Sequence, residues 1–418
     1  MTLPKRCVPG SVDPLDRNGG EGSLDPGNRQ SEMRITFVSP AVNLGGGTRV
    51  IVVYAKALAR MGHAVRVVSP PPGAVPFRRK VKSFLKGNGW PADPPALRSH
   101  LDGGGLDHHV LDRSRPVADD DVPDADVVIA TWWETAEWVN ALSPTKGAKV
   151  YFIQHHEVFP YLPVSRCHAT YRLPMHKIVV ARWLKELMST QYADDVVDLV
   201  PNSVDRGQFF SAVRGKQSVP TAGFLYSTTP FKGLDVLLAA IRVLRGKIPN
   251  LRLICFGAEL PSAAMPLPEK AEFSCSPPQD QIRNLYSQCD VWMTASRSEG
   301  FNLPAMEAMA CRTPVVSTRT GWPEEAIETG KNGILVNVGD VEGLARGAER
   351  ILSLSADEWK GWSQCAYETT CSGSWQESAR KFESALVHAC RRSMNGEIAG
   401  RSVFMRSAAY RRSTGTAR

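Results

Sequence analysis

At 418 residues the chain is longer than one hydrophobic core usually holds, so two domains are expected. Its 43% apolar and 22% charged residues are those of an ordinary soluble globular protein, with a core that needs no staples. A net charge of +8 would suit nucleic acid, an anionic membrane surface or a phosphorylated substrate, but part of the excess lies in an acid-free end with Arg401, Arg406, Arg411, Arg412 and Arg418.

Residues 1–32, rich in Gly, Pro, Asp and Ser, are expected to form a disordered extension. MTLPKRCVPG has no apolar run behind its basic residues, and no window reaches the roughly 20 apolar residues that span a bilayer, so a cytoplasmic protein is expected. Nine cysteines without a C-x-x-C pair, among them Cys255, Cys289 and Cys311 in apolar or small-residue runs, read as buried thiols in a reducing compartment.

MRITFVSP is a short apolar strand, followed by the glycine cluster NLGGGTRVIVVYAKALARMGH, in which Val50, Tyr54, Leu58 and Met61 recur at helical spacing. AVRVVSP, a second strand, completes a β–α–β unit that opens a parallel sheet. Residues 70–123 carry much Pro, Gly and Arg and little pattern, and are expected to be irregular. ADVVIA, AKVYFIQ and HKIVVA then read as strands, RWLKELMSTQYA as a helix, and VDLVPNSVD as a strand that breaks into a turn at Pro201 and Asn202.

The second half repeats the alternation. TAGFLYS, LRLICFG, DVWMTAS, TPVVST and GILVNV are strands. KGLDVLLAAIRVLRGK, QDQIRNLYSQC, LPAMEAMACR and DVEGLARGAERILSL are helices. The simplest architecture is α/β, with two Rossmann-like doubly wound domains facing each other across a cleft. The boundaries expected are 33–201 and 202–374, then a helix at 375–394 crossing back onto the first domain and a basic disordered tail at 395–418.

Residues 296–316, SRSEGFNLPAMEAMACRTPVV, place Glu299 and Glu307 eight positions apart around the start of a helix. Ligands of doubly wound sheets bind beyond the carboxyl ends of strands, which is where RSEGFN falls. Pro304 suits a first helical turn. The amides near Phe301, Asn302 and Leu303, with the helix dipole, would form an anion site, and Gly300 would let the backbone approach a bound group. Amides for phosphate and carboxylates for sugar hydroxyls is one reading; an amphipathic helix with two solvated glutamates is the other.

The stretch at 296–333 resembles the E-x7-E signature region of family 4 retaining glycosyltransferases, which have the GT-B fold. The shared elements are Glu-Gly-Phe-x-Leu-Pro, Glu-Ala-Met-Ala-Cys, Pro-Val-Val and a later Asn-Gly. PNSVD, KGLDVLLAA and GGGTR extend the likeness from about residue 33 to 392. The resemblance implies that Glu307 holds the ribose of a nucleotide-diphosphate sugar and that Glu299 contacts the transferred sugar. It also implies that the amides of Gly300, Phe301, Asn302 and Leu303 serve sugar and phosphate, that Lys232 pairs with the diphosphate, and that Gly46 and Gly47 let the first domain approach phosphates or acceptor. The family commonly has an arginine shortly before that lysine, where LYSTTPFKG offers only Tyr226, Ser227 and Thr228. Arg297 and Arg49 are the candidates to replace it. Asn302 and Arg312 stand where glycine is usual, and Trp322 replaces the second glycine of a pair.

QHHEVF sets Gln154, His155, His156 and Glu157 at a strand end, where His155 or His156 would orient the acceptor or sugar, or simply close the strand. Adjacent strand histidines point to opposite faces, which disfavours zinc. Trp132, Trp133 and Trp138 read as core and cleft lining, His108 and His109 as surface, and ADDDVPDAD as a solvated turn. A nucleoside diphosphate is a weak base, so stabilising its charge suffices and no metal or cofactor is expected. GGGTRV fails G-x-G-x-x-G at Val50, which makes a dehydrogenase a weak alternative.

The expected activity is therefore transfer of a sugar from a nucleotide-diphosphate donor to a carbohydrate, lipid-linked or small-molecule acceptor. The expected catalytic residues are Glu299, Lys232 and His155, with possible acceptor or phosphate contacts from Arg49, Gln154, His156 and Arg297. The alternative is a GT-B-like protein that binds nucleotide sugar with little or no transfer. Nucleic acid is not an expected partner, because a basic aromatic-studded sheet or recognition helix is missing. The basic patch FRRKVKSFLKG allows peripheral contact at the inner membrane surface.

Overall fold

The computed structural model describes residues 32–72, 99–102 and 105–404. The N-terminal extension up to residue 31, the basic patch at 77–86 and the tail beyond 404 lie outside the described residues.

Two parallel sheets organise the chain. The first contains β1 (Arg34–Val38), β2 (Ala64–Ser69), β3 (Asp107–Val110), β4 (Val127–Ala130), β5 (Ala148–Ile153), β6 (His176–Val179) and β7 (Val197–Leu199), in the order β3-β2-β1-β4-β5-β6-β7. The second contains β8 (Thr221–Leu225), β9 (Arg252–Gly257), β10 (Glu272–Cys275), β11 (Val291–Thr294), β12 (Val315–Thr318) and β13 (Gly333–Val336), in the order β10-β9-β8-β11-β12-β13. Each sheet therefore reverses direction once, between β1 and β4 in the first and between β8 and β11 in the second. Crevices for ligands open at such switch points.

The central strands β4 (VVIA) and β5 (AKVYFI) are buried along their whole length, because helices cover both faces of a parallel sheet. The helices of the first half are α1 (Gly46–Arg60), α2 (Trp133–Ala141), α3 (Val164–Thr170) and α4 (Arg182–Tyr192). Those of the second are α5 (Leu234–Lys247), α6 (Ile282–Ser287), α7 (Leu303–Ala310), α8 (Trp322–Ala326), α9 (Val341–Leu352) and α10 (Ala356–Thr369). The last helix, α11 (Trp375–Met394), packs on α1 and on β4 to β6. Its Phe382 stacks on Tyr54 at 4.5 Å between ring centroids and meets Phe152 edge-on at 5.0 Å.

Two expectations are corrected. Within the stretch expected to be irregular, DHHV is an edge strand, β3, held by Arg66 to Asp107 at 2.7 Å and by His108 against the Ser69 hydroxyl at 3.0 Å. A short edge strand needs no apolar run, since one flank and part of each face meet solvent. The expected solvated tail also begins too early, because residues 395–404 dock on the first half. The Ala399 amide donates to Pro174, Arg401 donates to Pro144, and Ile398, Ser402 and Phe404 are buried. Gly400 makes this possible: its φ is +94°, and a Cβ there would meet the Gly147 carbonyl oxygen at 2.0 Å.

Candidate active site

The second-domain wall is built at the β8/β11 switch point. β11 runs into the loop at 295–302, and Asn302 then caps α7 with φ +75°, a left-handed conformation that asparagine tolerates better than most residues. Its side-chain amide donates to the Thr294 hydroxyl at 3.0 Å, tying the loop back to the strand end. In the first turn of α7 Pro304 has no N–H and the Ala305 amide bonds back to the Asn302 carbonyl at 3.2 Å, which leaves the Leu303 amide without an intrahelical partner. Lys232 closes the short turn Pro230–Lys232 after β8. The next residue, Gly233, has φ +64°, and any Cβ would lie 2.1 Å from the Ala295 carbonyl oxygen, so glycine lets this turn sit on the glutamate loop.

Both glutamates are buried and hydrogen-bonded, which decides against the solvated-helix reading. Glu299 Oε1 accepts from Lys232 Nζ at 2.7 Å and from the Ser296 hydroxyl at 2.6 Å. Glu307 Oε2 accepts from the Tyr286 hydroxyl at 2.9 Å, while its Oε1 accepts from Arg49 Nη1 at 2.6 Å. Arg49 stands in the first turn of α1, across the cleft, with its guanidinium over the ring of Phe209. Burial, then the Glu307 charge, pushes the Tyr286 phenol well above its usual range, so it stays a donor.

The first-domain wall follows β1 and β5. Gln154 Nε2 donates to the Gly47 carbonyl at 3.3 Å, and a Cβ on Gly46 would meet nothing within 4 Å. His155 Nδ1 donates to the His156 carbonyl at 3.0 Å, which leaves Nε2 as an acceptor facing the Ser298 hydroxyl at 3.4 Å. Burial holds this imidazole below its usual range although the Glu299 charge pulls the other way. Its ring packs beside both Phe159 and Phe231, which stack on each other at 4.9 Å and bridge the two halves beside Lys232. Gly300 touches the opposite wall, where the Trp183 indole donates to its carbonyl at 3.0 Å.

The structure thus brings together Glu299, Lys232, His155, Gly300, Phe301, Asn302, Leu303 and Glu307 with Gly46, Gly47, Arg49 and Gln154. Two candidates fall elsewhere. Arg297 forks onto Asp235 at 2.9 and 2.6 Å on a half-exposed surface, because its neighbour across the Pro230 turn is an acid. His156 turns from the cleft to the Tyr192 hydroxyl at 2.7 Å, and burial, then the nearby His168 and His155, brings its pKa down to about 4. Tyr286, Ser296, Trp183 and Phe231 are functional neighbours that the sequence reading missed. Only Ser296, three residues before Glu299, carried a local signal. Trp322 stacks on Phe301 at 6.0 Å, so the residue replacing a glycine does line the loop.

Far from the cleft, His176, Asp198 and His388 cluster between β6, β7 and α11. The Arg392 guanidinium donates to His176 Nδ1 at 3.1 Å, so His176 Nε2 carries the proton and donates to Asp198 at 2.9 Å. A proton on that nitrogen opposes metal ligation there.

Residues 209–368 match the family model described as glycosyl transferases group 1. The D-inositol 3-phosphate glycosyltransferase of Corynebacterium urealyticum is 30% identical over 179 residues, 40% of this chain and 42% of the relative. That of Mycobacterium marinum is 29% identical over 241 residues, 52% of this chain and 50% of the relative. The chain spans about half the length, or less, of these curated relatives. Among solved structures, sucrose-phosphate synthase from Thermosynechococcus elongatus is 16% identical with a TM-score of 0.63, covering 85% of this chain and 99% of its own. Anabaena HepE in complex with UDP and glucose is 15% identical with a TM-score of 0.64, covering 85% and 100%. These likenesses show the fold, which is GT-B: two parallel-sheet α/β domains.

Proposed function

We propose that the protein is a glycosyltransferase that moves a sugar from a nucleoside diphosphate to an acceptor hydroxyl with retention, using no metal or cofactor. The observation that carries this reading is the convergence of Glu299, Glu307, Lys232 and the first turn of α7 at one switch point, opposite a glycine loop. The match at 209–368 and the neighbours named with UDP support a nucleotide-sugar donor.

In this reading Glu307 takes the ribose hydroxyls, Glu299 the hydroxyls of the sugar, and Lys232 with the α7 amides the departing phosphate. The bond from the anomeric carbon to the phosphate oxygen breaks as the bond to the acceptor oxygen forms on the same face. The acceptor's proton passes to the leaving phosphate oxygen, so no protein nucleophile takes part. His155, neutral and with Nε2 an acceptor held only by a long contact to the Ser298 hydroxyl, orients a hydroxyl of sugar or acceptor. The acceptor is a carbohydrate, a lipid-linked sugar or a small polyol such as the inositol phosphate named for the relatives, met in a cytoplasmic or peripheral membrane setting.

Calorimetric titration with UDP, GDP and ADP tests the donor half. One nucleotide should bind, and Glu307→Ala should weaken it by about tenfold or more, the worth of a lost hydrogen bond to a charged group. Binding that the substitution leaves unchanged would remove the donor site from α7. The absence of an arginine at 227–229 favours a second reading, a nucleotide-sugar binder without transfer. Slow hydrolysis of the bound donor without acceptor would exclude it.

A further inference from the structure

Glu307 is the carboxylate assigned above to a ribose, yet both of its oxygens already accept strong hydrogen bonds, from Arg49 at 2.6 Å and from Tyr286 at 2.9 Å. Each oxygen keeps a second lone pair, but the carboxylate is only 4% exposed and Arg49 closes it from across the cleft, so a ribose reaches it only when a neighbouring donor moves aside. Tyr286 is fully buried among Phe209, Phe256 and Trp292 and is fixed in place. Arg49 is partly exposed, belongs to the opposite domain and has its guanidinium over the Phe209 ring at 5.0 Å, a contact that does not fix one position of its nitrogens. Arg49 is therefore the donor that leaves. A displaced guanidinium at the cleft needs a new anion, and the diphosphate brings one. Arg297, the arginine two residues before Glu299, is held by Asp235 and by the Pro230 carbonyl. Residues 227–229 offer only hydroxyls.

We infer that Arg49 is the diphosphate-positioning arginine of this site: the nucleotide's phosphates draw its guanidinium off Glu307, and this exchange frees Glu307 for the ribose. The inference rests on the donor reading above and adds a coupling to it. A nucleoside without phosphates has nothing to offer Arg49, so the ribose site stays closed to it.

The test is calorimetry on the full chain with uridine and UDP, or guanosine and GDP, or adenosine and ADP, according to which diphosphate binds the wild type. In the wild type the diphosphate should bind far more tightly than its nucleoside. In Arg49→Gln that ratio should collapse by about tenfold to a hundredfold, because the diphosphate loses its guanidinium while the nucleoside meets an unlocked Glu307. Arg49→Lys should keep part of the ratio, and it controls for folding together with the melting curve. Equal losses on nucleoside and diphosphate, or an unchanged ratio, would overturn the role of Arg49 while leaving the donor reading intact. A wild type that binds none of the three diphosphates would overturn both.

Discussion

The Glu157 carboxyl group sits beneath the site and takes no part in the proposed chemistry. It accepts from the Trp133 amide at 2.7 Å, at the start of α2, and from the Tyr151 hydroxyl at 3.2 Å. Complete burial pushes its pKa well above the usual carboxylate range. The unfolded chain ionises this group near its ordinary value and the folded chain resists, so its linkage lowers stability as pH rises above that value. Glutamine keeps the acceptor oxygen and removes the titration. Glu157→Gln should therefore match the wild type near pH 5 and exceed it at pH 8 in urea unfolding. Glu157→Ala leaves the Trp133 amide without its partner and should cost about 1–3 kcal/mol. A Gln variant that follows the wild type at both pH values would show that the carboxyl is ionised in the fold. At this scale the sequence was informative about residues close in the chain and silent on the rest. Glu299 and Glu307 stood out through their spacing around a helix start, whereas Arg49 reaches Glu307 from 258 positions away and Tyr286 from 21. Arg297 misled because adjacency to the signature says nothing about which way a side chain turns, and Asp235 draws it outward.

Among the elements, the buried parallel strands were legible as apolar runs because both of their faces are covered, while β3 and β10 were not, since exposed edge strands carry no such run. Helix α10 escaped because its buried residues Trp359, Ser363 and Ala366 include a polar one that breaks the apolar stripe. The attachment of α11 depends on a contact of the same hidden kind. Asp198, in the middle of β7, accepts from His176 of β6 and from His388 of α11, both at 2.9 Å. Burial alone would raise the Asp198 pKa, but the two imidazole hydrogen bonds outweigh it and bring it down to about 2. A carboxylate whose folded pKa is depressed contributes stability above its unfolded value, and that contribution is lost as pH falls toward the folded one. Asp198→Asn should therefore be less stable than the wild type at pH 6 and pH 4.5, and by a smaller margin at pH 3. Urea midpoints at the three values check this. A margin that widens at pH 3 would mean that Asp198 is already protonated in the fold.

For the whole molecule, the sequence spoke for two α/β halves but not for how they meet, because the contacts between them join single residues with no shared pattern. Arg49 with Glu307, Trp183 with Gly300, and Phe159 with Phe231 are three such joints. Gly300 is the tightest. An alanine Cβ there would lie 1.7 Å from the Gln154 carbonyl oxygen and 3.1 Å from the His155 Cα, both on the opposite domain. Neither sheet depends on this contact, so each domain should fold normally in Gly300→Ala and the melting temperature should change little. The halves would instead be held apart by roughly the width of a methyl group, moving His155 and Gln154 away from Glu299 and Lys232. A displacement of about 1 Å at reacting groups costs about a hundredfold in rate. Nucleotide binding depends on Glu307, Lys232 and the start of α7, all on one side, and should stay within a few fold of the wild type if Arg49 still reaches across. Turnover of a donor and nucleotide titration on the same Gly300→Ala preparation separate these effects. Loss of turnover with binding kept would show that the chemistry needs the two domains pressed together at Gly300. Full turnover would mean that the active arrangement is more open than this one, and that the contact at Gly300 forms outside the catalytic step.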